Sequence, residues 1–280
     1  MSLVSASLAT NWRLIITPPA RGAWNMAVDE AILEATVSGS VMPTLRLYTW
    51  LPPCLSLGYA QPVADVDKEK LAALGWDLVR RPTGGRAILH TDELTYAVIG
   101  PQREPRLQGS ILESYQRLSQ ALLAALTLLG LPAQAHPLPT SNQEGNSKGP
   151  VCFEVPSNYE ITIHGKKLVG SAQARKREGV LQHGTLPLWG DLTRITQVLC
   201  FKDEDERQHA AARLKARATT VEAELGYRVG WDEAAQAFVS AFQQELVINL
   251  TPGSLSAAEL DHAGELIRVK YGDREWTERI

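Results

Sequence analysis

Three runs of strand-forming residues, 158–163, 166–174 and 180–188, follow one another with connections of two and five residues. Connections this short make neighbouring strands antiparallel, because a parallel return needs a crossover of about a dozen residues or more. The first connection is His164-Gly165 within ITIHGKKLV, a two-residue hairpin turn. In such a hairpin Ile163 lies opposite Lys166 and Thr162 opposite Lys167. The two lysines therefore point to opposite faces of the sheet, and only one of them can enter an interior pocket.

Ahead of this block, 22–38 reads as a helix with an apolar face of Ala23, Met26, Ala27, Ala31 and Leu33, stopped at Ser38-Gly39. Segments 44–50 and 55–59 read as strands and 65–74 as a short helix closed by Gly75. A strand over 76–81 leads into Thr83-Gly84-Gly85, and 87–89 and 94–99 continue as strand. The long helix 110–129 has Ser110 to cap its start and Gly130 and Pro132 past its end. Segments 191–199, 204–216, 231–245 and 256–270 read as helices. The stretch 136–150, HPLPTSNQEGNSKGP, is a long loop of proline, glycine and small polar residues, a kind often used for function. Strands mixed with helices, followed mostly by helices, predict an α+β fold with a helical C-terminal extension.

Composition narrows the function. The 280 residues carry 28 basic and 31 acidic side chains, a net charge of −3. A phosphate-tracking surface is usually strongly basic, so nucleic acid is not an expected partner. The three cysteines form no CxxC pair, which argues against a zinc knuckle, a redox dithiol and a disulfide framework, and for a reducing compartment. Cys54 and Cys200 are read as small buried apolar residues. No basic-then-apolar leader opens the chain, and no stretch approaches the roughly 20 apolar residues of a membrane helix. A cytoplasmic protein without a membrane partner is expected.

Four groups of residues are candidates for chemistry. Arg80-Arg81-Pro82-Thr83-Gly84-Gly85-Arg86 surrounds a Gly-Gly pair with three arginines, suited either to a close-approaching anion or to a structural turn. Cys152 follows the long loop, where a thiol can meet substrate, and its use as a nucleophile needs a cation or base nearby to favour the thiolate. Lys166 and Lys167 supply such a cation, or are solvent-facing edge charges. His90 and His183 are candidate bases or hydrogen-bonded structural histidines. No Cys, His and carboxylate grouping has metal-ligand spacing, so no metal is expected.

RRPTGGRAILHTDELTYAV at 80–98, VCFEVPSNYEITIHGKKLVGSAQARK at 151–176 and GVLQHGTLPL at 179–188, with WNMAVDEAIL at 24–33 and KYGDREW at 270–276, resemble the biotin/lipoate protein ligase and lipoyl/octanoyl transferase family. The Gly-Gly motif is shared across that superfamily. The Cys-Phe pair, the GKKxxGSAQ strand and the QHG strand together resemble its cysteine-dependent octanoyltransferase branch. The resemblance implies a catalytic domain over 22–250, built on a mixed sheet with flanking helices and an acyl-binding cavity, and a helical extension over 251–280. It implies octanoyl transfer from octanoyl-acyl carrier protein to a lysine of a lipoyl domain, of the glycine-cleavage H protein type, without a cofactor. Carried onto this chain, Cys152 matches the acyl-accepting nucleophile and Lys167 the motif lysine. Arg80, Gly84, Gly85 and His90 match the substrate-lining strand.

Three other readings stand beside this one. An ATP-dependent lipoate–protein ligase shares the Arg-Arg, Gly-Gly and Lys elements. It has no need of Cys152, and usually shows a Gly-Asn pair where this chain has Glu93-Leu94. An amidotransferase would move octanoyl between lipoyl domains, also through cysteine. A non-catalytic protein that binds lipoyl domains would keep the cavity without turnover. The region from Arg103 to Arg106, with Lys148, offers positive charge to an acidic carrier protein.

Overall fold

The structure, a computed structural model, describes residues 9–137 and 159–280. Of the loop expected over 136–150, residues 136 and 137 instead end a strand; the rest of it, with Lys148 and Cys152, lies outside the described residues. An eight-stranded mixed sheet runs in the order β11 (Ile248–Pro252), β1 (Thr10–Ile16), β2 (Thr44–Tyr48), β6 (Glu93–Pro101), β10 (Gly179–Pro187), β9 (Lys166–Lys176), β8 (Tyr159–Ile163), β7 (Gln134–Pro137). β1 pairs in parallel with both β11 and β2, and the other ladders are antiparallel.

Alternation along the central strands sets the layers. On β6, Leu94, Tyr96 and Val98 face one core, and Ala97 and Ile99 face another. The first core lies under α3 (Ile111–Leu128) and α6 (Trp231–Leu246), where Phe238 and Phe242 stack at 6.0 Å and close on Tyr96. Burying each phenylalanine contributes about 2–3 kcal/mol. The second core lies under α1 (Gly22–Val37), which is buried on most sides because α7 (Ala257–Leu266) packs on its back. α3 starts with a reciprocal cap between Ser110 and Glu113, as its sequence predicts.

A smaller sheet, β4 (Asp77–Arg80), β3 (Cys54–Leu57) and β5 (Ile88–His90), stands beside the large one. It packs on α2 (Lys68–Ala73), a 3-10 segment over Leu192–Gln197 and α4 (Glu204–Arg217). The short α5 (Val221–Leu225) follows α4. Past α7 the chain makes a π-turn over Ile267–Tyr271 and ends in α8 (Arg274–Thr277), which packs on β4. Among the described residues no helix is long and apolar enough to cross a membrane.

The mixed α+β architecture expected from the sequence is the one observed. The hairpin register also holds: Ile163 pairs with Lys166 and Thr162 with Lys167. The boundary expected at 250 falls inside β11, so residues 251–252 belong to the large sheet. Segment 191–199 is a 3-10 turn rather than a full helix, and the helix expected over 256–270 is α-helical to Leu266 and π-helical from there to Tyr271.

Two side-chain expectations are corrected. Cys200 is exposed: Val198 and Leu199 fill the small core, and the next residue leaves it, its amide held by the Asp65 carbonyl at 2.8 Å. Arg106 offers no surface charge, because it is buried and donates to the carbonyls of Leu246 (2.8 Å) and Val247 (2.6 Å) at the end of α6. Those carbonyls have no partner within the helix, which is why an arginine is drawn there.

Candidate active site

β4 ends in Arg80, and the chain passes through Arg81 and Thr83 into the Gly84-Gly85 turn. Gly85 takes a φ of +94°, a conformation that suits glycine. Gly58, just past β3, packs against this turn so closely that a Cβ on it would lie 1.9 Å from the Gly85 carbonyl oxygen. The outer side of Gly84 is open, with nothing within 4 Å of where a Cβ would stand. The turn is therefore backed by backbone on one side and accessible on the other.

Two buried relays hold it. In the first, Arg81 donates through Nη2 to the carbonyls of Gly84 and Arg86 (both 2.8 Å), and through Nη1 to the carbonyl (3.0 Å) and Oγ (3.1 Å) of Ser56. Ser56 Oγ lies 2.8 Å from His90 Nε2, and His90 Nδ1 lies 2.6 Å from Glu93 Oε1. Trp50 Nε1 donates to Thr95 Oγ1 (2.8 Å), which donates to Glu93 Oε1 (2.6 Å). The Trp50 ring stacks on His90 with centroids 4.0 Å apart.

The second relay crosses the large sheet. His183 on β10 places Nε2 2.7 Å from Thr83 Oγ1 and Nδ1 3.4 Å from Asp29 Oδ2 of α1. Burial pushes the His183 imidazole below its ordinary value, and the Asp29 carboxylate does not fully restore it. A carboxylate only accepts, so Nδ1 carries the single proton and Nε2 accepts from the Thr83 hydroxyl. Complete burial pushes the Asp29 carboxyl up, but Arg46 and His183 outweigh it and hold it below the usual range. Arg46, wholly buried, donates to Asp29 Oδ1 (2.7 Å), Asn25 Oδ1 (2.7 Å) and Thr17 Oγ1 (3.1 Å), and Tyr48 donates to Asp29 Oδ2 (2.9 Å).

The structure thus brings Gly84, Gly85, Arg80 and His90 together around the small sheet. Their roles differ. His90 is a buried link in a relay. Arg80 is fully buried and gives its guanidinium to backbone carbonyls: Nε and Nη2 to Thr277 (3.0 and 2.8 Å), Nη1 to Gly58 (2.8 Å), Tyr59 (3.3 Å) and Gln61 (2.6 Å). Lys167 stands on β9 with its side chain 4 % exposed and its Nζ 3.0 Å from Glu160 Oε1, while Lys166 is half-buried at the hairpin end. Lys167 is thus the lysine of the pair that turns inward. The Lys167 carbonyl accepts from the Thr219 amide at 3.1 Å, which ties β9 to the segment after α4.

Sequence reading missed Gly58, Ser56, Asp29, Arg46 and Glu160. A signal existed for two of them. Asp29 is an acid inside the apolar run of WNMAVDEAIL, and a fully buried acid is rare unless paired. Glu160 alternates with Thr162 on the strand facing Lys167, which places the acid and the lysine on one face.

Residues 21–243 match the model of the lipoyl protein ligase A/B catalytic domain. The octanoyltransferase LipM of Symbiobacterium thermophilum is 40% identical over 275 residues, covering 97% of this chain and 100% of that protein. The octanoyltransferase LipM of Moorella thermoacetica is 41% identical over 272 residues, covering 97% and 99%. Among solved structures, the bi-partite lipoate protein ligase of Thermoplasma acidophilum superposes with a TM-score of 0.79 at 25% identity, covering 97% of both chains. A lipoate-protein ligase A bound with ATP superposes with a TM-score of 0.76 at 26% identity, covering 96% and 99%. Likeness to curated acyltransferases over nearly the whole length makes this chain an acyltransferase. It belongs to the lipoyl protein ligase A/B catalytic domain family.

Proposed function

We propose that the chain transfers octanoyl in protein lipoylation, from octanoyl-acyl carrier protein through a thioester on Cys152 to a lysine of a lipoyl domain, of the glycine-cleavage H protein type. The observation that carries this reading is the likeness to octanoyltransferases of 37–41% identity over nearly the full chain. The sequence also has a cysteine and an inward lysine of the types the reaction needs.

The chemistry balances without ATP. The Cys152 thiolate attacks the carbonyl of the donor thioester, and the tetrahedral intermediate expels the carrier thiolate. One thioester replaces another, at little cost in free energy. The neutral amine of the acceptor lysine then attacks, the amide forms, and Cys152 leaves as a thiolate that the amine proton neutralises. Lys167 favours the thiolate and stabilises the oxyanion, a contribution of about 3 kcal/mol for one donor. Gly84 and Gly85 line the substrate with backbone, open at Gly84 and backed at Gly85 by the Arg81 guanidinium. His90 and Arg80 act behind that surface, since both are buried within the protein's own hydrogen bonds. The seven carbons of the tail beyond the carbonyl contribute about 5 kcal/mol when buried.

Intact-mass analysis with octanoyl-acyl carrier protein and no ATP tests this. The expected result is an octanoyl adduct on the native chain, absent from Cys152→Ala and released by a lipoyl domain. Modification of the lipoyl domain only when ATP and free acid are supplied overturns the reading in favour of a ligase.

A further inference from the structure

We propose that Arg80 is a positioning residue that, with Trp276, Thr277 and Arg279 of the C-terminal segment, clamps the Gly58–Gln61 turn and through it sets the Gly84-Gly85 turn. The inference rests on the reading above that Gly84-Gly85 lines the substrate.

The contacts form one continuous path. The Arg80 guanidinium sits between two pieces of backbone, the Thr277 carbonyl on one side and the carbonyls of Gly58, Tyr59 and Gln61 on the other. Trp276 Nε1 donates back to the Arg80 carbonyl at 2.9 Å. The Arg279 guanidinium lies 3.8 Å from the Tyr59 ring centroid and 4.0 Å from that of Trp276, and donates to the Tyr59 carbonyl at 2.7 Å. The Val63 amide donates to the Ile280 carbonyl at 2.7 Å. The clamped turn in turn touches the site: Gly58 abuts the Gly85 carbonyl, and the Tyr59 amide donates to the Thr83 carbonyl at 2.8 Å. A displacement of residues 58–61 is therefore a displacement of the Gly84-Gly85 turn.

The geometry separates this role from substrate binding. An arginine that met substrate would keep a donor aimed at the open side of the turn. Arg80 instead reaches carbonyls from chain positions about 20 residues earlier and nearly 200 residues later. A lysine keeps the charge but cannot reach both sides with one ammonium.

Hydrogen exchange and kinetics on Arg80→Lys, Trp276→Phe and Arg279→Ala test the clamp, and the last two keep the test open if Arg80→Lys folds poorly. The expected result is exchange about tenfold faster at the hydrogen-bonded amides of Tyr59, Gln61 and Arg81, which tie the two turns together, in each folded variant, with β6 and β10 unchanged. In the transfer reaction kcat falls by about tenfold while KM for the acyl donor holds, in the charge-conserving Arg80→Lys as in the other two variants. The double variant Arg80→Lys, Trp276→Phe is no worse than the more severe single one. Unchanged exchange at the turn, or a raised KM confined to position 80 with Trp276→Phe silent, overturns the clamp. Faster exchange in the variants of a native protein that transfers no octanoyl leaves the clamp standing and overturns the functional reading instead.

Discussion

The carboxylate of Glu160 stands 3.0 Å from the ammonium of Lys167, the inward lysine of the β8–β9 hairpin. One residue of β9 bulges between the Ile161–Val169 and Thr162–Lys167 pairs, and the acid and the lysine meet diagonally across the ladder. Lys167→Met is expected to lower the single-turnover octanoyl transfer rate by about 10²–10³-fold, the range for an oxyanion donor. Glu160→Gln leaves a nearly buried ammonium without this carboxylate. It is expected to lower unfolding stability by about 3 kcal/mol in urea titration.

Gly58→Ala puts a Cβ 1.9 Å from the Gly85 carbonyl oxygen, with backbone rather than a flexible side chain in the way. The two segments must separate. The expected outcome is transfer activity reduced by at least about 100-fold, with a structure in which the 84–85 turn has moved. Effects of that order follow from misplacing reacting groups by about 1 Å. Gly264→Ala on α7 is the control, since its Cβ also meets nothing within 4 Å and the residue stands outside the site.

Asp29→Asn removes the carboxylate beside a guanidinium that is wholly buried. Breaking such a pair from one side costs about 3–5 kcal/mol, because the other charge stays buried. Asp29→Asn is expected to be among the most destabilising conservative changes in the chain, read as a fall in the urea midpoint. The one amide oxygen that remains cannot accept from Arg46, Tyr48 and His183 together, which weakens the hold on His183 toward Thr83.

Glu30 on α1 accepts from Lys176, Lys270 and Tyr271. Burial pushes its carboxyl up, but these partners outweigh it and bring the value down to about 2. The folded state therefore binds this proton more weakly than the unfolded chain, whose value is 4.5. The stabilisation is complete above pH 4.5 and is lost as pH falls from 4.5 through about 2. Urea titrations at pH 6 and pH 2 are expected to show a stability loss larger by about 3 kcal/mol in the native protein than in Glu30→Gln.

Local features were readable where a residue and its partner lie close in sequence. The His164-Gly165 turn dictates the register of the hairpin, and so dictates which lysine turns inward. Ser110 and Glu113 mark the start of α3 because the cap is closed three residues apart. Cys152 was singled out by its place after the loop and by the resemblance, and it lies outside the described residues. The Asp29, Arg46 and His183 cluster was not legible as a cluster, since each member sits on a different element and nothing along the chain says that the acid of the apolar run meets that arginine and that histidine. Arg80 was read as a substrate-lining residue. A guanidinium at a turn reads the same whether its acceptors come from a ligand or from the carbonyl of Thr277. β1 and β11 escaped notice because their ladder joins residues 238 positions apart.

That ladder has a consequence for how the chain folds. β1 lies between β2, which follows it closely, and β11, which closes a span longer than two hundred residues. Closure of so long a span is slow, and parallel pairing gives little reward until it is nearly complete. During synthesis one flank of β1 therefore stays uncovered after the other is paired. An uncovered flank recruits strands from other chains. The five residues of β11 act as the seal on that flank, and Arg13 of β1, held by Glu259 of α7 at 2.6 Å, bolts the seal in place.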